Sequence, residues 1–247
     1  MKKTLLIFVS VIALSACGTT QSEKPATSMN PRLKTSAIDR AMESALNKAE
    51  AAGDKQEVLA TLAQVHKRNL DDPIVATRYA RALREDDQVN EAIRTLVPFV
   101  TPPNDNIDAI TEMSMVQLAA ADYAQAEKYA QNAINMNDKN ARAYLALGTA
   151  LDAQQKHEEA ETAFRNGVKN WKGDASPILN NLALNLASQG HLKEALSLLE
   201  KAIKESPNRL ELERNRRIIS TLLETTNEPA PAPTVKPPVK PTIKPAA

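Results

Sequence analysis

The chain has 247 residues, with 31 Lys+Arg against 30 Asp+Glu and a formal net charge of +1, so it lacks the basic excess of a dedicated nucleic-acid binder. Charged residues make up 25% and AVILMFWYC 43%, as in ordinary globular chains, while aromatics at 3% and only 6 Gly leave an all-β fold without its strand and turn material. A single Cys excludes an intramolecular disulfide and a Cys-based zinc site, and 3 His supply little for a metal centre.

Lys2 and Lys3 form a positive n-region ahead of a short apolar run, Leu5 to Leu14. That run falls short of the roughly 20 residues a membrane-spanning helix needs and has the flanks of a secretory signal peptide over residues 1–16. Leu14-Ser15-Ala16-Cys17 resembles a bacterial lipobox, with the chain's lone Cys at the acceptor position. The resemblance implies lipidation of Cys17 by a diacylglyceryl thioether (palmitate is the expected label) and an N-acyl chain. Several acyl chains together make a stable membrane anchor. Gly18, rather than Asp, after Cys17 implies sorting to the outer membrane, facing the periplasm. Residues 17–38, rich in Ser, Thr, Pro and Lys, read as a lipid-anchored flexible linker. Loss of Lys2 and Lys3 on cleavage leaves 29 basic and 30 acidic residues, formally −1, with basic flanks of +2 each and a body (39–227) near −5.

From about residue 39 the periodicity is helical. Tyr144, Leu147, Gly148, Leu151, Ala160, Phe164 and Gly167 mark one unit. Moving 34 residues toward the N-terminus gives Ile110, Met113, Ser114, Gln117, Ala126, Ala130 and Ala133, and a further 34 gives Ala76, Tyr79, Ala80, Leu83, Ala92, Leu96 and Phe99. With one residue inserted near 173–175, a fourth unit follows as Leu182, Ala183, Leu186, Ala195, Leu199 and Ala202, closed by Pro207. This pattern resembles the tetratricopeptide repeat, with a small eighth residue, Ala at the twentieth slot and Pro near the thirty-second. The resemblance implies an all-α superhelical solenoid of helix–turn–helix pairs.

The units fall at 73–106, 107–140, 141–175 and 176–209, preceded by a degenerate capping repeat over 39–72 and followed by a capping helix over 210–224. Gly190 suits the left-handed turn between paired helices; Asp87, Ala121 and Gln155 in that slot predict less ideal turns. Gly148 lies at a close helix contact, so Leu there is expected to overpack, whereas helix propensity predicts a mild or even stabilising effect for Ala. Residues 225–247 form a Pro/Lys-rich tail expected to be disordered; it reads either as a plain end or as a basic spacer touching peptidoglycan or a partner.

No metalloprotease, nucleophile-elbow, P-loop or dinucleotide motif is present, so no cofactor, metal or catalytic residue is expected. His157 and His191 share one repeat slot and read as packing or turn residues, and Trp171 as a wedge between repeats. The repeat resemblance implies a concave groove lined by the first helices of the pairs. Its variable positions are Ile74, Thr77, Arg81, Arg84, Thr111, Met115, Leu118, Leu145, Thr149, Asp152, Asn180 and Leu184. We expect Arg81, Arg84, Met115, Leu118 and Leu145 to be spare for partners, the last three for apolar side chains, since the first-helix face needs no such side chains for its own packing. Arg81 and Arg84 would meet an acidic segment. A lipid anchor with a repeat scaffold resembles the TadD-like group of Flp (tight adherence) pilus assembly proteins. The late segment Asn181 to Gly190, then Pro207-Asn208-Arg209 and Arg214-Asn215, carries that likeness. It implies protein partners in the envelope, pilus or secretin components, and no nucleic acid. A type IV pilotin, an outer-membrane protein assembly factor, or a regulator of a cell-wall remodelling enzyme are the alternatives.

Overall fold

The computed structural model describes residues 37–103 and 105–227, so the expected signal peptide, Cys17, the expected linker up to residue 36 and the tail from 228 lie outside the described residues. Eleven α-helices and no strand occur among the described residues. They pair in order: α1 (Ala37–Ala52) with α2 (Lys55–Arg68), α3 (Pro73–Glu85) with α4 (Val89–Leu96), and α5 (Ile107–Ala119) with α6 (Tyr123–Met136). Then come α7 (Ala141–Ala153) with α8 (His157–Asn170) and α9 (Ser176–Ser188) with α10 (Leu192–Glu205), and a single helix, α11 (Leu210–Asn227), ends the row. Pro98 follows α4, and the chain leaves that helix through a 3-10 turn at Val97–Phe99.

The starts are written in the sequence. Asp72, Asn106, Asp122 and Asn140 each cap a helix, accepting from backbone N–H groups of the first turn. The core follows the repeat register. Ala92, Ala126, Ala160 and Ala195 are each fully buried, as are Ala80, Ser114 and Ala183 in the small slot. Phe164 fills the space over Gly148, with Leu179, Leu186 and Leu199 continuing the C-terminal cluster.

The less ideal turns expected at Asp87, Ala121 and Gln155 differ from the glycine turns in energy and not in shape. Their φ angles of 62°, 57° and 65° fall with those of Gly53 and Gly190, at 69° and 83°. Each of these five turns also closes with the same bond across the helix end: Asp54 N to Ala49 O, Gln88 N to Leu83 O, Asp122 N to Gln117 O, Lys156 N to Leu151 O and His191 N to Leu186 O. This is the Schellman arrangement, which satisfies the last carbonyls of the first helix. Helix pairing imposes it whatever residue is there; a side chain changes the energy, not the shape. A left-handed Ala costs roughly 1 kcal/mol or more. Ala121→Gly is therefore expected to raise stability by about 1 kcal/mol, and Gly190→Ala to lower it by a similar amount. Thermal melts moving the other way would contradict this account of the turns.

Neighbouring first helices touch along the row from α3 through α5, α7 and α9 to α11, whereas the second helices pack on first helices. The inner row is the tighter one, so the first helices line the concave side.

Candidate functional site

At the N-terminal half of this concave row sits one charge cluster. Helix α5 is apolar on nearly every side, which is how a helix surrounded by neighbours reads. Glu112 interrupts it and is fully buried. A buried carboxylate needs partners, and three arginines from two other helices supply them. Arg84 Nε donates to Glu112 Oε1 at 2.8 Å, Arg81 Nε to Oε2 at 3.1 Å, and Arg142 Nη2 to Oε2 at 2.9 Å. Burial pushes the Glu112 carboxyl up; the charges of Arg81, Arg84 and Arg142, with the hydrogen bond from Arg84, outweigh it and hold the group down at about 2. Burial and the like charge of Arg81 push Arg142 below the ordinary arginine range, against the pull of Glu112. Glu85 stands 3.7 Å from Arg84 as a second carboxylate, so three guanidiniums face two carboxylates and the cluster carries one formal positive charge in excess. Arg81 and Arg142 keep 42% and 40% of their side-chain surface in solvent, Arg84 only 14%.

The C-terminal half is linked by amides. Asn140 Nδ2 donates to Thr111 Oγ1 at 2.8 Å, Asn181 Nδ2 to Thr149 Oγ1 at 3.2 Å and Asn215 Nδ2 to Asn180 Oδ1 at 2.8 Å. Asp152 Oδ1 accepts from Asn185 Nδ2 at 2.7 Å and lies 2.7 Å from His157 Nδ1. The Asn185 amide also reaches the His157 carbonyl. Trp171 is half-buried against the C-terminal core, and its Nε1 donates to the Asp174 carbonyl.

The expectation that the first-helix face needs neither Arg81, Arg84 nor Leu118 for its own packing is therefore corrected. Arg81, Arg84, Thr111, Thr149, Asp152 and Asn180 all bond to the following first helix or the residue that caps it, because stacked first helices bring their side chains into hydrogen-bond reach. Thr77 and Thr111 are buried, with each hydroxyl returned to a carbonyl one turn back, Pro73 and Ile107. Leu118 is buried against Ala126, Ala130, Ala146 and Ala150. These three residues offer a partner almost no surface. Arg81, Met115, Leu145 and Leu184 remain half-exposed, and Ile74 is exposed.

Sequence reasoning missed Glu112, Arg142, Asn181, Asn185, Asn215 and Ile218. Signals existed for some of them. Glu112 is a lone charge in an apolar helix, Arg142 occupies the slot of Ile74, and Ile218, 53% exposed, continues the row Arg81, Met115, Thr149, Leu184 into α11. No group of three or more His, Cys, Asp or Glu among the described residues is placed to hold a metal ion.

Two family models described as tetratricopeptide repeat match the chain, at residues 141–169 and 176–209. Among solved structures, the fold is similar to TTC0263, described as a thermophilic TPR protein in Thermus thermophilus. The TM-score is 0.65 at 20% identity, covering 74% of this chain and 98% of that one. It is also similar to MamA (41-end) from Desulfovibrio magneticus RS-1, with a TM-score of 0.52 at 17% identity over 69% of this chain and 96% of that one. No curated protein sequence matches the present chain. By its helix pairs and turns the chain has the fold of a tetratricopeptide-repeat solenoid, and it carries matched repeats of that kind at 141–169 and 176–209.

Proposed function

We propose that the protein is a non-enzymatic scaffold, lipid-anchored through Cys17 to the outer membrane and facing the periplasm. There it binds protein partners in its concave groove during assembly of a Flp pilus or related secretion machine. The observation that supports the scaffold reading is the groove itself. It sets half-exposed Arg81 and Arg142 beside Met115, Leu145 and Leu184 on one continuous face. Such a face offers charge and apolar surface for a polypeptide, with side chains already held in place. The envelope reading rests on the lipobox and on the late-segment likeness to the TadD-like group.

Two experiments test it. Cys17→Ser is expected to abolish palmitate labelling and leave the precursor uncut; a labelled Ser variant would overturn the anchor. Affinity capture from detergent-solubilised envelopes is expected to recover secretin or pilus components with the parent chain. Recovery should drop with Leu145→Glu plus Leu184→Glu, which place charge among the apolar side chains of the groove. Envelopes yielding no such component with the parent would overturn the assembly role.

A further inference from the structure

The geometry points to an oxyanion-binding subsite on the concave face, formed by the outward N–H groups of Arg81 and Arg142 and taking the paired carboxylates of an acidic-apolar polypeptide segment. This inference rests on the partner-binding reading above and names the chemical class of the partner. Glu112 uses one N–H each from Arg81, Arg84 and Arg142. A guanidinium has five. Among the described residues the carboxylates within ion-pair reach of the three are Glu112 and, beside Arg84, Glu85. Arg81 and Arg142, on α3 and α7, flank α5 from either side. Both are tied at their inner edge and solvated at their outer edge, so side-chain entropy is lost at folding and not at binding.

The surroundings select the occupant. The subsite has excess positive charge, but the body around it is near −5, which disfavours a long polyanion such as a nucleic acid. Met115 and Leu145 lie half-exposed on α5 and α7, so a ligand with apolar side chains beside its carboxylates gains contacts that a free phosphate does not. Arg84, at 14% side-chain exposure, belongs to the internal network and not to the ligand.

The test uses the full chain without its signal peptide, carrying Cys17→Ser, and a short fluorescent peptide of Glu pairs spaced by Leu. The comparison peptide has Gln for every Glu. At low salt the Glu peptide is expected to bind, and the Gln peptide at least about tenfold more weakly. Arg81→Gln with Arg142→Gln should weaken the Glu peptide about tenfold, the scale of two exposed ion pairs. Arg214→Gln with Arg217→Gln, on the exposed side of α11, should not. Because the first double variant also removes support from Glu112, Glu112→Gln provides the opposite readout. It raises the excess charge, so the Glu peptide should bind about threefold tighter even though the protein melts lower. A destabilised scaffold alone would not gain affinity. Equal binding of the two peptides, unchanged binding by Arg81→Gln/Arg142→Gln, no gain with Glu112→Gln, or full displacement by millimolar inorganic phosphate would each overturn the inference. Envelope capture that fails while peptide binding behaves as described would sink the assembly role alone; the reverse would sink this subsite alone.

Discussion

Glu112→Ala is expected to cost about 3 kcal/mol, toward the lower end for a broken buried ion pair, because Arg81 and Arg142 can turn partly to water while Arg84 cannot. In a chain of this size that lowers the melting temperature by roughly 6–12 °C. Replacing Glu112 and Arg84 together by Met should return part of the loss, since no charge is then left buried without its partner. The pH dependence has a definite sign. The folded carboxyl is held at about 2 against an ordinary 4.5, so the folded state binds its proton more weakly than the unfolded chain. Its stabilisation is fully present above the ordinary value and is lost as pH falls from about 4.5 toward about 2. The gap in melting temperature between parent and Glu112→Gln should therefore shrink between about pH 6 and pH 3. A gap that widens on acidification would contradict the network.

Gly148→Leu is expected to be at least as damaging, and Gly148→Ala to be destabilising rather than mild. A Cβ on Gly148 would lie 2.6 Å from Phe164 Cδ1 and Cε1 and 2.9 Å from Cγ. The ring belongs to a fully buried side chain among Leu179, Ile178 and Leu182, so it has no space to retreat into. Overpacking costs about 1–3 kcal/mol for a methyl and more for a branched side chain, against a helix-propensity gain near 1 kcal/mol for Ala. Phe164→Leu removes ring atoms from the same place. A cycle of Gly148→Ala, Phe164→Leu and the double variant should show a favourable coupling of about 1 kcal/mol or more. Additive melts would mean that the two residues do not meet.

The repeat register was legible because its determinants are local and periodic. Ala92, Ala126, Ala160 and Ala195 recur at one spacing and all are buried at one kind of contact. Turn geometry was half legible. Gly190 announces a left-handed residue, but Ala121 adopts the same φ because the two paired helices require it, which no property of Ala signals. The consequence of Gly148→Ala was misread, since propensity describes one helix and the obstacle is Phe164 on the other. The Glu112 network was illegible as a network. Its four members come from three helices of three repeats, and an exposed Arg and a paired one look alike in a sequence. The groove slots of the family pattern included Arg81 and Arg84 and pointed to a charged face, but they passed over Glu112, which decides how much of that charge is free.

The most direct test of the groove as the working surface is site-specific photo-crosslinking in cells that express the full chain. A benzophenone amino acid would replace Leu184 on the concave row or, as the comparison, exposed Lys128 on the second helix α6. The account predicts adducts from position 184, with the crosslinked peptide identified by mass spectrometry as an acidic-apolar segment of an envelope assembly protein, and none from position 128. Adducts confined to position 128 would place the binding surface on the outside of the solenoid and contradict the account.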